Sequence, residues 1–246
     1  MSIIDVSGVS KSYGGVKANT DISMTVEEGG ITGLIGPNGS GKTTLFNSIV
    51  GYHPIDTGSI KYEGREISKM MVPEIARLGM LRTFQQTRIY GAMNCVENML
   101  ISLPHRKLSI WDAFGKNTKE DNERALHLLE FVGLFEKRYL QAGSLSFGQQ
   151  KLLEFAMALM NEPTVLLLDE PTAGINPTLI NGLIERLKRA NTEFGITLFI
   201  IEHNMRVIMN MADKIYCLAH GEMLAQGTPA EIQDDQRVID AYLGAH

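Results

Sequence analysis

The run Gly36–Thr44, GPNGSGKTT, has the G-x-x-x-x-G-K-[ST] spacing. Residues of these types at this spacing can hold a phosphate chain. Glycines lack a side chain, so backbone N–H groups can converge on phosphate oxygens. A helix that begins at the end of the loop adds the partial positive charge of its N-terminus. Gly36, Pro37, Asn38, Gly39, Ser40 and Gly41 are the candidate loop, and Thr44 closes the run. Lys42 is placed to reach the β- and γ-phosphates, and the Thr43 hydroxyl to ligate Mg²⁺. A plain glycine-rich turn is the competing reading. The apolar stretch before the loop and the helical pattern after it favour the cradle. The glycine order is not GxGxxG, which disfavours a dinucleotide fingerprint.

A second constellation ends the apolar run LLLDE at Asp169 and Glu170. A buried strand that finishes on an acid sets that carboxylate at the edge of a sheet. Asp169 there is suited to hold Mg²⁺, directly or through water, and Glu170 to orient or deprotonate a water. A third lies in LSFGQQ, Leu145–Gln150, where Ser146 and Gly148 open a helical pattern. Read alone, Ser146 is a helix cap before it is part of an anion site. His203, in IEHNM, follows another apolar run and reads alone as a possible helix cap. The remaining histidines have no ligand spacing with one another or with Cys95 and Cys217, so no transition-metal site is expected.

These residues need a scaffold. IIDV, ISMTV and IKY read as strands of an N-terminal antiparallel part. ITGLI (31–35), VLLLD (165–169) and ITLFII (196–201) read as buried strands, and they alternate with helices at 42–50, 177–189 and 230–243. Asn176 and Pro177 suit the start of the second of these helices. The expectation is an α/β fold with a parallel central sheet. Strand signals vanish over 87–145, which reads as an inserted α-helical subdomain. The expected core is then 1–86 with 146–246.

The chain has 246 residues, 44% hydrophobic and 21% charged, which suits one large globular domain carrying a smaller one. Its 23 basic and 28 acidic residues leave a net charge of −5, which disfavours general nucleic-acid binding. Two cysteines without CxxC spacing exclude a disulfide framework and suit a reducing compartment. The N-terminus lacks a basic stretch followed by an apolar run, so no signal peptide is expected. No apolar run approaches the ~18–20 residues of a membrane-spanning helix. Work at a membrane would be done from its side.

Taken in order, these motifs resemble those of the ATP-binding subunits of ABC transporters, over essentially the whole chain. The resemblance implies an ABC ATPase core of the P-loop NTPase fold, with ATP and Mg²⁺ as ligands. Tyr13 matches the aromatic that stacks on adenine. Gly36–Thr43 matches the Walker A loop, and Gln85, in RTFQQ, the glutamine that senses Mg²⁺ and the γ-phosphate. LSFGQQ, with Ser146, Gly148 and Gln149, matches the signature LSGGQ. LLLDE matches the Walker B strand, AGIN (173–176) the D-loop, and His203 the switch histidine. Phe147 departs from the first signature glycine, and Asn176 stands where many members have Asp.

The family mechanism that this implies joins two ATP-binding subunits head to tail around two ATP molecules, with Glu170, His203 and Gln85 serving hydrolysis. The resemblance also implies transmembrane permease subunits as partners, an indirect link to a solute-binding protein, and a place on the cytoplasmic face of the inner membrane. Arg88 and Tyr90, within 87–100, are candidates for permease contact. The wording YGGVKA, ARLGMLRTFQQTRIY, DEPTAGINP and VIDAYLG is most similar to the larger ATP-binding subunit of branched-chain amino acid importers. A soluble ABC ATPase acting on ribosomes or DNA is the alternative. Those generally carry fused cassettes or a coiled-coil insertion and basic surfaces. A P-loop kinase or GTPase would not need LSFGQQ or His203, and no guanine-reading NKxD occurs.

Overall fold

The computed structural model describes residues 1–83, 89–103 and 118–243. Contacts divide the chain into two compact units. One comprises Met1–Arg82, Thr164–Pro171 and Leu187–His246, and the other Thr83–Pro163 and Thr172–Arg186.

The first unit holds two sheets. Strands β1 (Ser2–Tyr13), β2 (Val16–Glu27), β4 (Thr57–Tyr62) and β5 (Arg65–Glu66) form an antiparallel sheet in the order β2-β1-β4-β5. Strands β3 (Ile31–Ile35), β6 (Met80–Arg82), β7 (Val165–Asp169), β8 (Thr197–Ile201), β9 (Lys214–Ala219) and β10 (Glu222–Gly227) form the second, in the order β10-β9-β3-β8-β7-β6. All its pairs are parallel except the β9–β10 edge. Every residue of β3, β7 and β8 is buried. That is why their sequences, ITGLI, VLLLD and TLFII, are dominated by apolar residues rather than alternating with polar ones. Helix α1 (Lys42–Ile49) buries Leu45, Phe46 and Ile49 in one cluster with Ile4, Val9, Ile22 and Ile60 of the first sheet and Leu34, Leu167 and Phe199 of the second. The Phe46 and Phe199 rings meet at 4.6 Å. Trimming a buried leucine here, such as Leu167, to Ala would cost about 2–5 kcal/mol.

The second unit is helical among the described residues. It contains α3 (Cys95–Ile101), α4 (Lys119–Phe131), α5 (Phe147–Leu159) and the beginning of α6 (Pro177–Phe194). Three of these helices start with a capping box: Asn94 with Glu97, Thr118 with Asp121, and Ser146 with Gln149. Helix α5 packs on α3 and α4 and buries Leu153, Phe155 and Ala156. By contacts it therefore groups with the helices before it, and the division runs past residue 145, where the sequence set it.

Other differences are local. The helix expected over 230–243 is two, α8 (Pro229–Asp234) and α9 (Gln236–Leu243), because Asp235 takes an extended ψ of 111°. Helix α6 runs on to Phe194. Short α2 (Val72–Arg77), α7 (Met205–Met209) and strands β6, β9 and β10 were not foreseen. The β9–β10 turn passes through His220 at φ 51°, a residue type that seldom signals a hairpin. Among the described residues, no helix is long and apolar enough to cross a membrane.

Candidate functional site

The loop Gly36–Gly41 joins β3 to α1, with β8 and β9 on either side of β3. Its outer glycines are there for space. Gly36 has φ 145°, and a Cβ there would lie 2.1 Å from the Leu218 carbonyl oxygen. Gly41 has φ 97°, and its Cβ would lie 2.3 Å from the Ala18 oxygen. The Gly41 carbonyl accepts from Asn19 Nδ2 at 3.2 Å, which ties the loop to β2. Helix α1 begins at Lys42, so the N–H groups of Lys42, Thr43 and Thr44 have no intrahelical acceptor and remain for an anion. Asn38, Gly39 and Thr43 are exposed and Pro37 and Thr44 half-buried, while Ser40 and Lys42 are buried. Lys42 Nζ donates to the carbonyls of Gly36 at 2.8 Å and Pro37 at 3.0 Å. Burial holds this ammonium below the ordinary 10.5, against the pull of the Glu170 and Asp169 carboxylates.

Those two acids end β7 and begin the turn after it. The Asp169 side chain is 1% exposed, and its Oδ2 accepts from Arg82 Nη2 at 2.6 Å. Arg82 also donates to Asn47 Oδ1, and its guanidinium lies 5.7 Å from the Phe46 ring centre. Two buried oxygens, Asp169 Oδ1 and Ser40 Oγ, have no protein hydrogen-bond partner. Buried oxygens of that kind call for a water or an ion. An all-oxygen set drawn from Asp169, the Thr43 hydroxyl and phosphate oxygens would suit a hard divalent cation.

Glu170 takes a left-handed φ of 49°, and its N–H donates to the Ile201 carbonyl at 3.0 Å. Glu170 Oε1 stands 3.5 Å from His203 Nδ1. His203 follows β8 between buried Glu202 and Asn204, and Asn204 is the residue that caps α7, through Val207 N–H. The capping role open to His203 in the sequence thus falls to its neighbour. The first unit therefore brings Lys42, Asp169, Glu170 and His203 to the ends of three adjacent strands. Arg82, which sequence reasoning missed, completes the cluster. Nothing local marks it, because its partner lies 87 residues away.

Tyr13 ends β1 at the turn into β2, the strand that flanks Gly41. It is 47% exposed and meets His53 edge-on at 5.5 Å. Lys11 Nζ lies 5.4 Å from its ring centre.

In the second unit, Ser146 caps α5. Its Oγ accepts from Gln149 N–H at 3.4 Å, while Gln149 Oε1 accepts from Ser146 N–H at 3.2 Å. Gly148 lies beside Leu179 and Ile175. The Phe147 ring lies over Gly174 and is 46% exposed. Asn176 accepts from Thr178 N–H and Oγ1, which fixes the start of α6. Tyr90 is exposed, and its backbone is pinned by the fully buried Asn98, another residue the sequence reading passed over. Gln85 and Arg88 lie outside the described residues.

The sequence matches the family described as "ABC transporter" over residues 19–173, and a second, "Branched-chain amino acid ATP-binding cassette transporter", over 222–246. It is 40% identical to a high-affinity branched-chain amino acid transport ATP-binding protein, BraF, of Pseudomonas aeruginosa, across 98% of both chains. It is 37% identical to a probable branched-chain amino acid transport ATP-binding protein, LivG, of Archaeoglobus fulgidus, across all of this chain and 96% of that one. Among solved structures, the ADP conformation of an ATP-binding cassette of an ABC transporter superposes with a TM-score of 0.88. The two chains are 33% identical over 99% of each. A dimeric bacterial ABC transporter cassette gives 0.76 at 25% identity, over 92% of this chain and 98% of that one.

Proposed function

The chain belongs to the ABC transporter family, as an ATP-binding subunit that hydrolyses ATP to drive transport, and we propose that it powers import of branched-chain or closely related amino acids. The observation that carries the catalytic part is the convergence of Lys42, Asp169, Glu170 and His203 beside a helix N-terminus. The cargo rests on the match at residues 222–246 and on relatives described as branched-chain amino acid transport proteins.

In this reading the loop Gly36–Thr44 wraps the ATP phosphates, and Lys42 exchanges the carbonyls of Gly36 and Pro37 for phosphate oxygens. Tyr13 offers its exposed face to the adenine ring. Thr43, Asp169 and Gln85 would hold Mg²⁺, which when bound would supply positive charge against the transferring phosphoryl group. Glu170 orients the attacking water and draws off its proton, while His203 steadies the Glu170 carboxylate and the γ-phosphate.

A second ATP-binding subunit, the same chain or a relative, supplies Ser146, Gly148 and Gln149 from the start of its α5 to complete the γ-phosphate pocket. Loss of that phosphate on hydrolysis weakens the clasp, and permease subunits convert the opening into transport. The chain then sits peripherally on the cytoplasmic face of the membrane, linked to a solute-binding protein only through the permeases.

Affinity capture of the tagged chain from solubilised membranes tests this reading. Recovery of polytopic permeases and a second ATP-binding subunit is expected. Recovery of ribosomes without any polytopic protein would overturn it.

A further inference from the structure

The first residue of the phosphate loop is tied to the far end of the chain. Gly36 N–H donates to the Tyr242 hydroxyl at 2.8 Å, across 206 positions of sequence. The Gly36 carbonyl meanwhile accepts from Lys42 Nζ at 2.8 Å. The Leu218 oxygen closes the third side, where a Cβ would stand 2.1 Å away. Gly36 is thus gripped on both backbone polar groups at the point where the loop leaves β3 with φ 145°.

We propose that Tyr242 is a positioning residue for the phosphate loop, its hydroxyl fixing the Gly36 peptide so that the following N–H groups meet the nucleotide already aligned. This rests on the reading that the loop holds ATP. Preorganisation of this kind acts on affinity, because the ordering cost is met before the ligand arrives.

Several features make Tyr242 fit to do this. Burial pushes its phenol up to about 12, so it stays neutral beside the loop. Helix α9 is anchored at its other end. Val238 is buried, and Asp235 accepts from Arg237 N–H at 2.9 Å and from its guanidinium at 2.6 Å. Between α9 and α7 runs a groove of about 520 Å³ lined by Met205, Met209, Ile232, Val238, Ile239 and Tyr242. The hydroxyl therefore reaches the loop from a helix that is not packed solid on every side.

Tyr242→Phe keeps the ring and deletes only the acceptor. The full-length variant should bind ADP with Mg²⁺ about fivefold more weakly by calorimetry, the weight of one ordinary hydrogen bond. Its KM for ATP should rise by a similar factor with kcat unchanged, and the Gly36 amide, followed by glycine-selective ¹⁵N NMR, should exchange faster with solvent. The ligand-free melting temperature should fall by only about 2–4 °C, the cost of one hydrogen bond in a chain of this size. Unchanged ADP affinity, or a fall in kcat and melting temperature with KM unmoved, overturns the proposal. A parent chain that binds no ADP overturns the nucleotide-binding reading itself, and this inference with it.

Discussion

The Arg82 guanidinium stands 2.6 Å from the Asp169 carboxylate, with side chains 8% and 1% exposed. Removing one partner of such a pair strands a charge away from water, which is costlier than losing the attraction alone. Arg82→Met should therefore destabilise the chain by about 3–5 kcal/mol in urea melts. A change below about 1 kcal/mol, the level of an exposed pair, would show that solvent already reaches Asp169. The same arginine is the last residue of β6, so it ties the end of that strand to the end of β7.

Glu170, the proposed base, sits on a strained backbone, with φ 49°. Glycine adopts that conformation freely, and a left-handed non-glycine residue costs about 1 kcal/mol or more. Glu170→Gly should melt at or above the parent temperature while losing ATPase activity by about a hundredfold or more, the scale of a lost general base. Phosphate-release assays and calorimetric melts check both halves. A variant that is inactive because it is unfolded would contradict the separation of strain from chemistry.

The cradle was legible because its parts are contiguous: loop, lysine and helix start fall within nine residues, and the buried strand before them reads as an apolar run. Asp169 and Glu170 were legible for the same reason. Arg82 and Tyr242 were not, since each matters through a partner 87 or 206 positions away. Ser146 showed its capping character directly in sequence, and the structure adds the reciprocal bond from Gln149. Strands β9 and β10 stayed hidden because their turn carries no Asn-Gly or Asp-Gly, and the break at Asp235 because Ile232, Val238 and Ile239 keep a helical rhythm across it. The tight seating of Gly41 against Ala18 depends on the neighbouring sheet and has no local signal.

Lys42 is buried, yet its ammonium faces the cradle rather than an ion-pair partner of its own. Lys42→Met preserves the aliphatic stem and deletes the ammonium proposed to bind phosphate. ADP affinity should fall about tenfold or more, with little loss of thermal stability. A drop in stability with affinity unchanged would mean that the bonds to Gly36 and Pro37 are the residue's only task.

Asp235 carries a pH signature. Its bonds to Arg237, chiefly from the side chain, hold its carboxyl below the ordinary 3.8. A depressed acid contributes stability that is complete above its unfolded value and fades as pH falls through the folded one. The melting-temperature gap between the parent chain and Asp235→Asn should be full at neutral pH and shrink below pH 3.8. A gap that widens on acidification would reverse the sign and refute the assignment.

The central claim is that one chain's phosphate loop and another's Ser146 close on the same ATP. Sedimentation of Glu170→Gln, the variant designed to block hydrolysis, reads this most directly. With ATP and Mg²⁺ the variant should sediment as a dimer, return to monomer when nucleotide is removed, and fail to dimerise once Ser146 is also changed to Arg. A protein that stays monomeric at saturating ATP both alone and with the second ATP-binding subunit captured with it, or dimerises equally well with Ser146→Arg, would contradict the claim.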